Sequence, residues 1–169
     1  MATIRLEPFT QEHLGGLADM LTDADFLRFT RVPEPVPPDF GQAWLARYEQ
    51  GRADGTRMNF AIIEDGRFAG FAVAPDIDRG AATAELGYGV APWARGRGVA
   101  TSALQALTTW AFDELGMIRL GLLIDVDNHA SKRVAEHCGY AFEGVLRSLH
   151  LKQDKRTDTE SWSRLVSDP

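Results

Sequence analysis

The sequence predicts one mixed α/β domain of the α+β type, a mostly antiparallel central sheet with helices on both faces. Three observations lead there. Asp65-Gly66 joins two apolar runs, the strongest short signal for a hairpin and so for antiparallel neighbours. The stretch 84–107 passes from a strand through a glycine-rich turn into an amphipathic helix, and an alternating strand follows, which implies a parallel crossover. With 169 residues and 44% hydrophobic composition, the chain suits a single domain, 1–169, around one core.

Thr3 to Leu6 form a short first strand. Thr10 is an N-cap residue for a helix through Leu14, Leu17, Ala18 and Leu21, with Gln11 and Glu12 in its first turn. Four prolines between Arg28 and Phe40 fix φ and remove donors, so this stretch is a loop with extended pieces, a place where specificity resides. Asp39 then caps a second helix carrying Phe40, Ala43, Trp44 and Tyr48 on one side. Met58–Glu64 and Arg67–Ala74 are the hairpin strands. A polar link, 76–82, leads to the third strand of the meander, which Pro92 ends because it has no N–H for a ladder.

In that third strand Ala84, Leu86, Tyr88 and Val90 alternate with Glu85, Gly87 and Gly89, so one face is apolar and the other carries a carboxylate and bare backbone. The turn Arg95-Gly96-Arg97-Gly98-Val99-Ala100 opens a helix whose stripe includes Val99, Ala103, Leu104, Leu107 and Trp110. Gly96 and Gly98 remove bulk where the helix N–H groups are free, and Arg95 and Arg97 add positive charge, which is chemistry for a pyrophosphate. Read alone, the turn fits a flexible lead into a helix equally well. It is neither a P-loop, lacking Gly-Lys-Ser/Thr, nor a complete dinucleotide fingerprint.

Gly116 ends the long helix, and Ile118, Leu120, Leu122, Ile124 and Val126 alternate in the next strand. Asn128 is suited to cap a short helix through Ser131, Val134 and Ala135, closed by Gly139 in the left-handed conformation. Tyr140–Leu149 and Thr159–Val166 are the last strands, joined by a charged link around Lys152-Gln153-Asp154-Lys155. Tyr140 reads as packed core.

A net charge of −6 and a pI near 5.2 argue against a nucleic-acid surface and are compatible with cationic substrates such as amines. No apolar run approaches the roughly 20 residues of a membrane span, and the N-terminus lacks signal-peptide regions, so a cytoplasmic protein with no membrane partner is expected. The single cysteine, Cys138, precludes an internal disulfide and reads as a small buried hydrophobe. His13, His129, His137 and His150 show no ligand spacing, so no metal is expected.

Arg95, Gly98 and Ala100 occupy the defining positions of Gln/Arg-x-x-Gly-x-Gly/Ala, and the chain in this respect resembles the GNAT acyltransferases. Ala84-Glu85-Leu86-Gly87-Tyr88, Asn128-His129-Ala130-Ser131-Lys132-Arg133-Val134, Cys138-Gly139-Tyr140 and Phe142-Glu143-Gly144-Val145-Leu146-Arg147 resemble the Rim-type (RimJ/RimL-like) protein N-terminal acetyltransferases among them. The resemblance implies a sheet splayed into a V beside the glycine turn, with acetyl-CoA as co-substrate in the cleft. Its pyrophosphate would rest on the backbone N–H groups of Arg95, Gly96, Arg97, Gly98, Val99, Ala100 and Thr101. Its pantetheine arm would pair with backbone from Tyr88 to Val90, and Asn128 would hold the arm from the other side. Taken singly, Asn128 is a helix cap.

Acetyl transfer from a thioester to an amine needs a neutral amine, a donor for the carbonyl oxygen as charge gathers there, and a proton for the departing thiolate. The resemblance assigns the donor to the Val90 N–H. Glu85 is the candidate base, directly or through water, against its reading as an ordinary solvated strand carboxylate. Ser131 matches the Rim-type serine at the CoA sulfur; a hydroxyl is a poor acid, so its role is positioning. Many GNAT enzymes carry a tyrosine acid where this sequence has Ala135, which excludes that device at this position. An α-amine, pKa roughly 7.7–8.0, needs far less help than lysine at about 10.4. The expected function is direct acetyl transfer, in a ternary complex, to the N-terminal α-amine of a protein or peptide. The alternatives are a small amine (polyamine, amino acid or aminoglycoside) or a non-catalytic acyl-CoA-binding domain, the protein being a monomer or homodimer.

Overall fold

A computed structural model describes residues 3–169. Its centre is a seven-stranded sheet ordered β1 (Ile4–Pro8), β2 (Met58–Glu64), β3 (Arg67–Asp78), β4 (Thr83–Val90), β5 (Arg119–Asp125), β7 (Lys155–Leu165) and β6 (Ala141–Lys152). Only β4 and β5 run parallel. Helices α1 (Leu14–Met20), α2 (Ala24–Arg28) and α3 (Phe40–Asp54) cover one face, where Leu17 and Leu45 pack on Ala61 and Ile63. Helices α4 (Val99–Asp113) and α5 (His129–His137) cover the other.

The α4 stripe read from the sequence is buried: Val99, Ala103, Leu104 and Leu107 pack with Leu86, Leu120 and Leu122 in the main core. Truncating Leu104 or Leu107 to alanine costs about 2–5 kcal/mol at such a site. Tyr140 is buried and its hydroxyl lies 2.7 Å from Thr108 Oγ1, and Cys138 is buried with its thiol pushed up to about 11 by desolvation. No helix among the described residues is long and apolar enough to cross a membrane, and no group of three or more metal-ligating side chains is assembled among them.

Local signals located most boundaries, with four corrections. The Asp65-Gly66 hairpin forms with both residues at positive φ, as its turn type requires. β3 does not stop at Ala74 but runs to Asp78, because Pro75 falls at a register shift between Val73 and Asp76, where a missing N–H breaks no ladder bond. A further helix, α2, starts at Asp23, whose carboxylate accepts the Phe26 N–H at 2.8 Å, so the loop expected from Arg28 is preceded by a capped turn. Asp39 holds the N-cap position of α3 without any side-chain capping bond. The charged link near Lys152 shrinks to Gln153-Asp154, both left-handed, closing a hairpin that pairs Lys152 with Lys155.

The feature that makes a site is the brevity of the parallel pairing. β4 and β5 are paired only from Thr83 with Arg119 to Glu85 with Gly121. Beyond that point β4 follows β3 as far as Val90 opposite Gly70, while β5 follows β7 as far as Asp125 opposite Thr159. The sheet therefore splays into a V from Glu85 onward.

Candidate active site

The open edge of β4 is a row of unpaired backbone groups. Ala91 donates its N–H to Ala69 O at 2.8 Å, so strand alternation turns the N–H and C=O of Val90 and Tyr88 to the opposite edge, the one β5 leaves. Close by, Gly98 opens α4 with φ 81°, and Gly96 has φ 70° with open space where a Cβ would lie. The first intrahelical bond runs from Ser102 N to Gly98 O at 3.0 Å, which leaves the N–H groups of Val99, Ala100 and Thr101 for an outside acceptor. A backbone cradle for a pyrophosphate and an edge for an extended arm thus lie together, and these residues fit acetyl-CoA.

The arginines of the turn are placed otherwise than expected. Arg95 Nη2 lies 2.5 Å from Asp23 Oδ2, and Arg97 Nη2 lies 3.4 Å from Glu64 Oε1, with its guanidinium 5.7 Å from the Trp93 ring centroid. Both guanidinium groups are paired with carboxylates, whereas the amides of Val99, Ala100 and Thr101 have no intrahelical acceptor. The Arg95 guanidinium holds the Asp23 carboxyl below its ordinary range and ties the start of α2 to the glycine turn.

On the α4–α5 face, Tyr88 Oη stands 2.7 Å from Ser131 Oγ and bridges the arms of the V. Burial pushes the Tyr88 phenol up to about 12, so it stays protonated. Asn128 Oδ1 accepts the Ser131 N–H at 3.2 Å, so the amide oxygen is a helix cap. The Tyr88 phenol escaped the sequence reading, which used that residue only for its backbone. Its signal was a hydroxyl on an otherwise apolar strand face, which needs a partner when buried.

The opposite face of β4 looks into a cleft of about 740 Å³ beneath α2, α3 and the loop between them. Gly89 lets the aromatic wall rest on the strand, since a Cβ there would lie 2.8 Å from Phe71 and 2.9 Å from Phe26. Glu85 lines this cleft. Desolvation raises its carboxyl, Arg31 opposes the rise and its cross-strand neighbour Asp76 adds to it. Glu85 and the Tyr88–Ser131 pair therefore stand on opposite faces of one strand, with the split between them. Lys152 closes the cleft, its Nζ bonded to the carbonyl oxygens of Leu27 and Thr30 and 2.8 Å from Glu34 Oε2.

His150 also lines the cleft, and sequence reasoning passed it over. Its Nδ1 lies 3.0 Å from Thr159 Oγ1, and Nε2 is buried without a hydrogen-bond partner among the described residues. Burial, then Arg31, lower its pKa against the pull of Asp125, so the ring is neutral at neutral pH. The available signal was inverted polarity in β6: Leu149 and Leu151 are exposed while His150 and Lys152 turn inward.

The profile of the acetyltransferase (GNAT) domain matches residues 3–141. YdaF of Bacillus subtilis (strain 168), whose name assigns it provisionally to ribosomal N-acetylation, is 30% identical over 140 residues, 81% of this chain and 69% of its own. The spermidine N(1)-acetyltransferase of Escherichia coli (strain K12) is 24% identical over 144 residues, 85% of this chain and 76% of its own. Among solved structures, RimL, a ribosomal L7/L12 alpha-N-protein acetyltransferase in complex with coenzyme A, matches with a TM-score of 0.90 at 20% identity, covering 98% of this chain and 96% of its own. At that identity the last likeness speaks for the fold.

Proposed function

The chain belongs to the GNAT acetyltransferase family, and from that premise we propose that it moves the acetyl group of acetyl-CoA to the N-terminal α-amine of a protein or peptide by direct attack in a ternary complex. The observation that carries this reading is the split after Glu85, with a carboxylate on one face of β4 and a paired phenol and hydroxyl on the other. Acetyl-CoA supplies the activated acyl group and its thiolate leaving group.

The protein's own groups do the rest. The amides from Gly96 to Thr101 hold the pyrophosphate, with Arg95 and Arg97 shaping the turn from outside. The backbone of Tyr88 and Val90 pairs with the pantetheine arm, and the Asn128 NH2 faces it across the split. The Val90 N–H points at the carbonyl oxygen as charge gathers there, a fixed dipole that needs no reorganisation. Glu85 takes the proton of the incoming amine, directly or through a water. Ser131, oriented by Tyr88 and by the Asn128 cap, presents a hydroxyl hydrogen to the sulfur.

One half-buried carboxylate suits an α-amine, whose pKa of roughly 7.7–8.0 asks for about one unit of help, better than lysine near 10.4. The name of YdaF points the same way. The likeness to spermidine N(1)-acetyltransferase favours a second reading, a small amine such as a polyamine, amino acid or aminoglycoside. Free-thiol release from acetyl-CoA over peptides, polyamines and aminoglycosides tests the choice. Peptide-dependent release supports the first reading, release with small amines alone supports the second, and coenzyme binding without release would make this a non-catalytic acyl-CoA-binding domain.

A further inference from the structure

The acceptor cleft has a charge opposite to that of the whole protein. The chain carries −6 overall, yet the charged side chains lining the cleft are Arg28, Arg31, Arg47 and Lys152 against the carboxylates Glu85 and Asp125. Lys152 is compensated by Glu34 at 2.8 Å. Arg28, Arg31 and Arg47 have no carboxylate within salt-bridge distance among the described residues, although Arg95 and Arg97 close by are both paired. The three come from different segments: Arg28 ends α2, Arg31 lies in the proline-rich loop and Arg47 projects from α3. Arg28 rests on the Phe29 ring, 4.7 Å from its centroid. Arg31 lines the same cleft as Glu85 and His150, and its charge acts on both.

We propose that Arg28, Arg31 and Arg47 form an acid-binding subsite, and that the preferred acceptor is a peptide bearing aspartate or glutamate within the first residues after its α-amine. The proposal rests on the α-amine reading of the same cleft. A guanidinium presents a planar fork that matches a carboxylate, and arginines without internal partners form such bonds without first breaking one. A polyamine carries several positive charges and one reacting amine, and it would meet three arginines that no salt bridge occupies. A positive cleft on an acidic protein also steers acidic peptides toward it and repels basic ones, more strongly at low salt.

The test is kcat/KM for two peptides with the same first residue, one with aspartate and glutamate at its second and third positions and one with lysines there, beside free aspartate and spermidine. The acidic peptide is expected to be preferred by at least about fivefold at low salt, the upper range for one exposed ion pair, with the preference shrinking as salt is added. The double variant Arg31→Glu, Arg47→Glu should invert it and Arg47→Lys should retain it, a thermal melt of each reporting folding. Equal turnover of both peptides, or a preference unmoved by charge reversal, overturns the subsite and leaves the α-amine reading standing. Turnover of free aspartate without either peptide keeps the subsite and removes the peptide acceptor. Turnover of spermidine alone overturns both.

Discussion

The hydroxyls of Tyr88 and Ser131 meet at 2.7 Å across the mouth of the split sheet, one from β4 and the other from the first turn of α5. Their bond joins two elements whose strands have already parted, on the face away from Glu85. The pair is expected to act as one unit at the sulfur: Tyr88→Phe and Ser131→Ala should each lower kcat by about 100-fold with a smaller change in the KM for the amine, and the double variant should be little worse than either. Additive losses, or unchanged kcat, would reduce the contact to packing.

Below the fall in rate set by protonation of the α-amine itself, at roughly 7.7–8.0, a second acid limb of the pH–rate profile should belong to Glu85. A base works unprotonated, so activity falls as pH drops through its pKa, which desolvation raises above the ordinary 4.5 of a glutamate. Glu85→Gln should flatten that limb and lower kcat/KM most on the plateau above it. A limb that persists in this variant and disappears in His150→Gln would move the role to His150.

Gly98 is held at φ 81°, where an L side chain is strained by about 1–2 kcal/mol, and it caps the helix whose amides face the pyrophosphate. Gly98→Val is expected to raise the KM for acetyl-CoA several-fold more than that for the amine. Equal changes in the two constants would contradict the cradle.

Acid stability should depend on Glu143. Both its oxygens are held by Arg119, at 2.8 and 2.7 Å, and Ser163 Oγ donates at 2.7 Å, so the carboxyl falls from the ordinary 4.5 to about 2. A depressed pKa contributes stability that is fully present above the unfolded value and lost as pH falls from 4.5 toward 2. The pair is more than a third exposed, so its contribution is small, and Glu143→Gln should lower Tm by on the order of 2–4 °C at neutral pH. That gap should close through this acid window, and a gap constant with pH would contradict the assignment.

What the sequence disclosed was what short-range chemistry writes into it. Asp65-Gly66 specifies a turn, the 3.6-residue stripe after Gly98 a helix, and the period of two through Ala84–Val90 the two faces that separate Glu85 from Tyr88. What it withheld depends on partners distant in the chain. Arg95 and Arg97 looked like free charge over the turn until folding brought Asp23 and Glu64 to them. Asn128 carried two plausible roles, and of these the structure shows the helix cap, its oxygen accepting the Ser131 N–H. His150 has no motif around it and enters the cleft only because the β6–β7 hairpin folds over the proline-rich loop.

Transfer to the α-amine is read directly by tandem mass spectrometry of a peptide that offers both a free α-amine and one internal lysine, incubated with the protein and acetyl-CoA. A gain of about 42 Da confined to fragments that contain the N-terminal residue is expected. Acetylation confined to the lysine, or an unmodified peptide beside acetylated spermidine in the same tube, would contradict it.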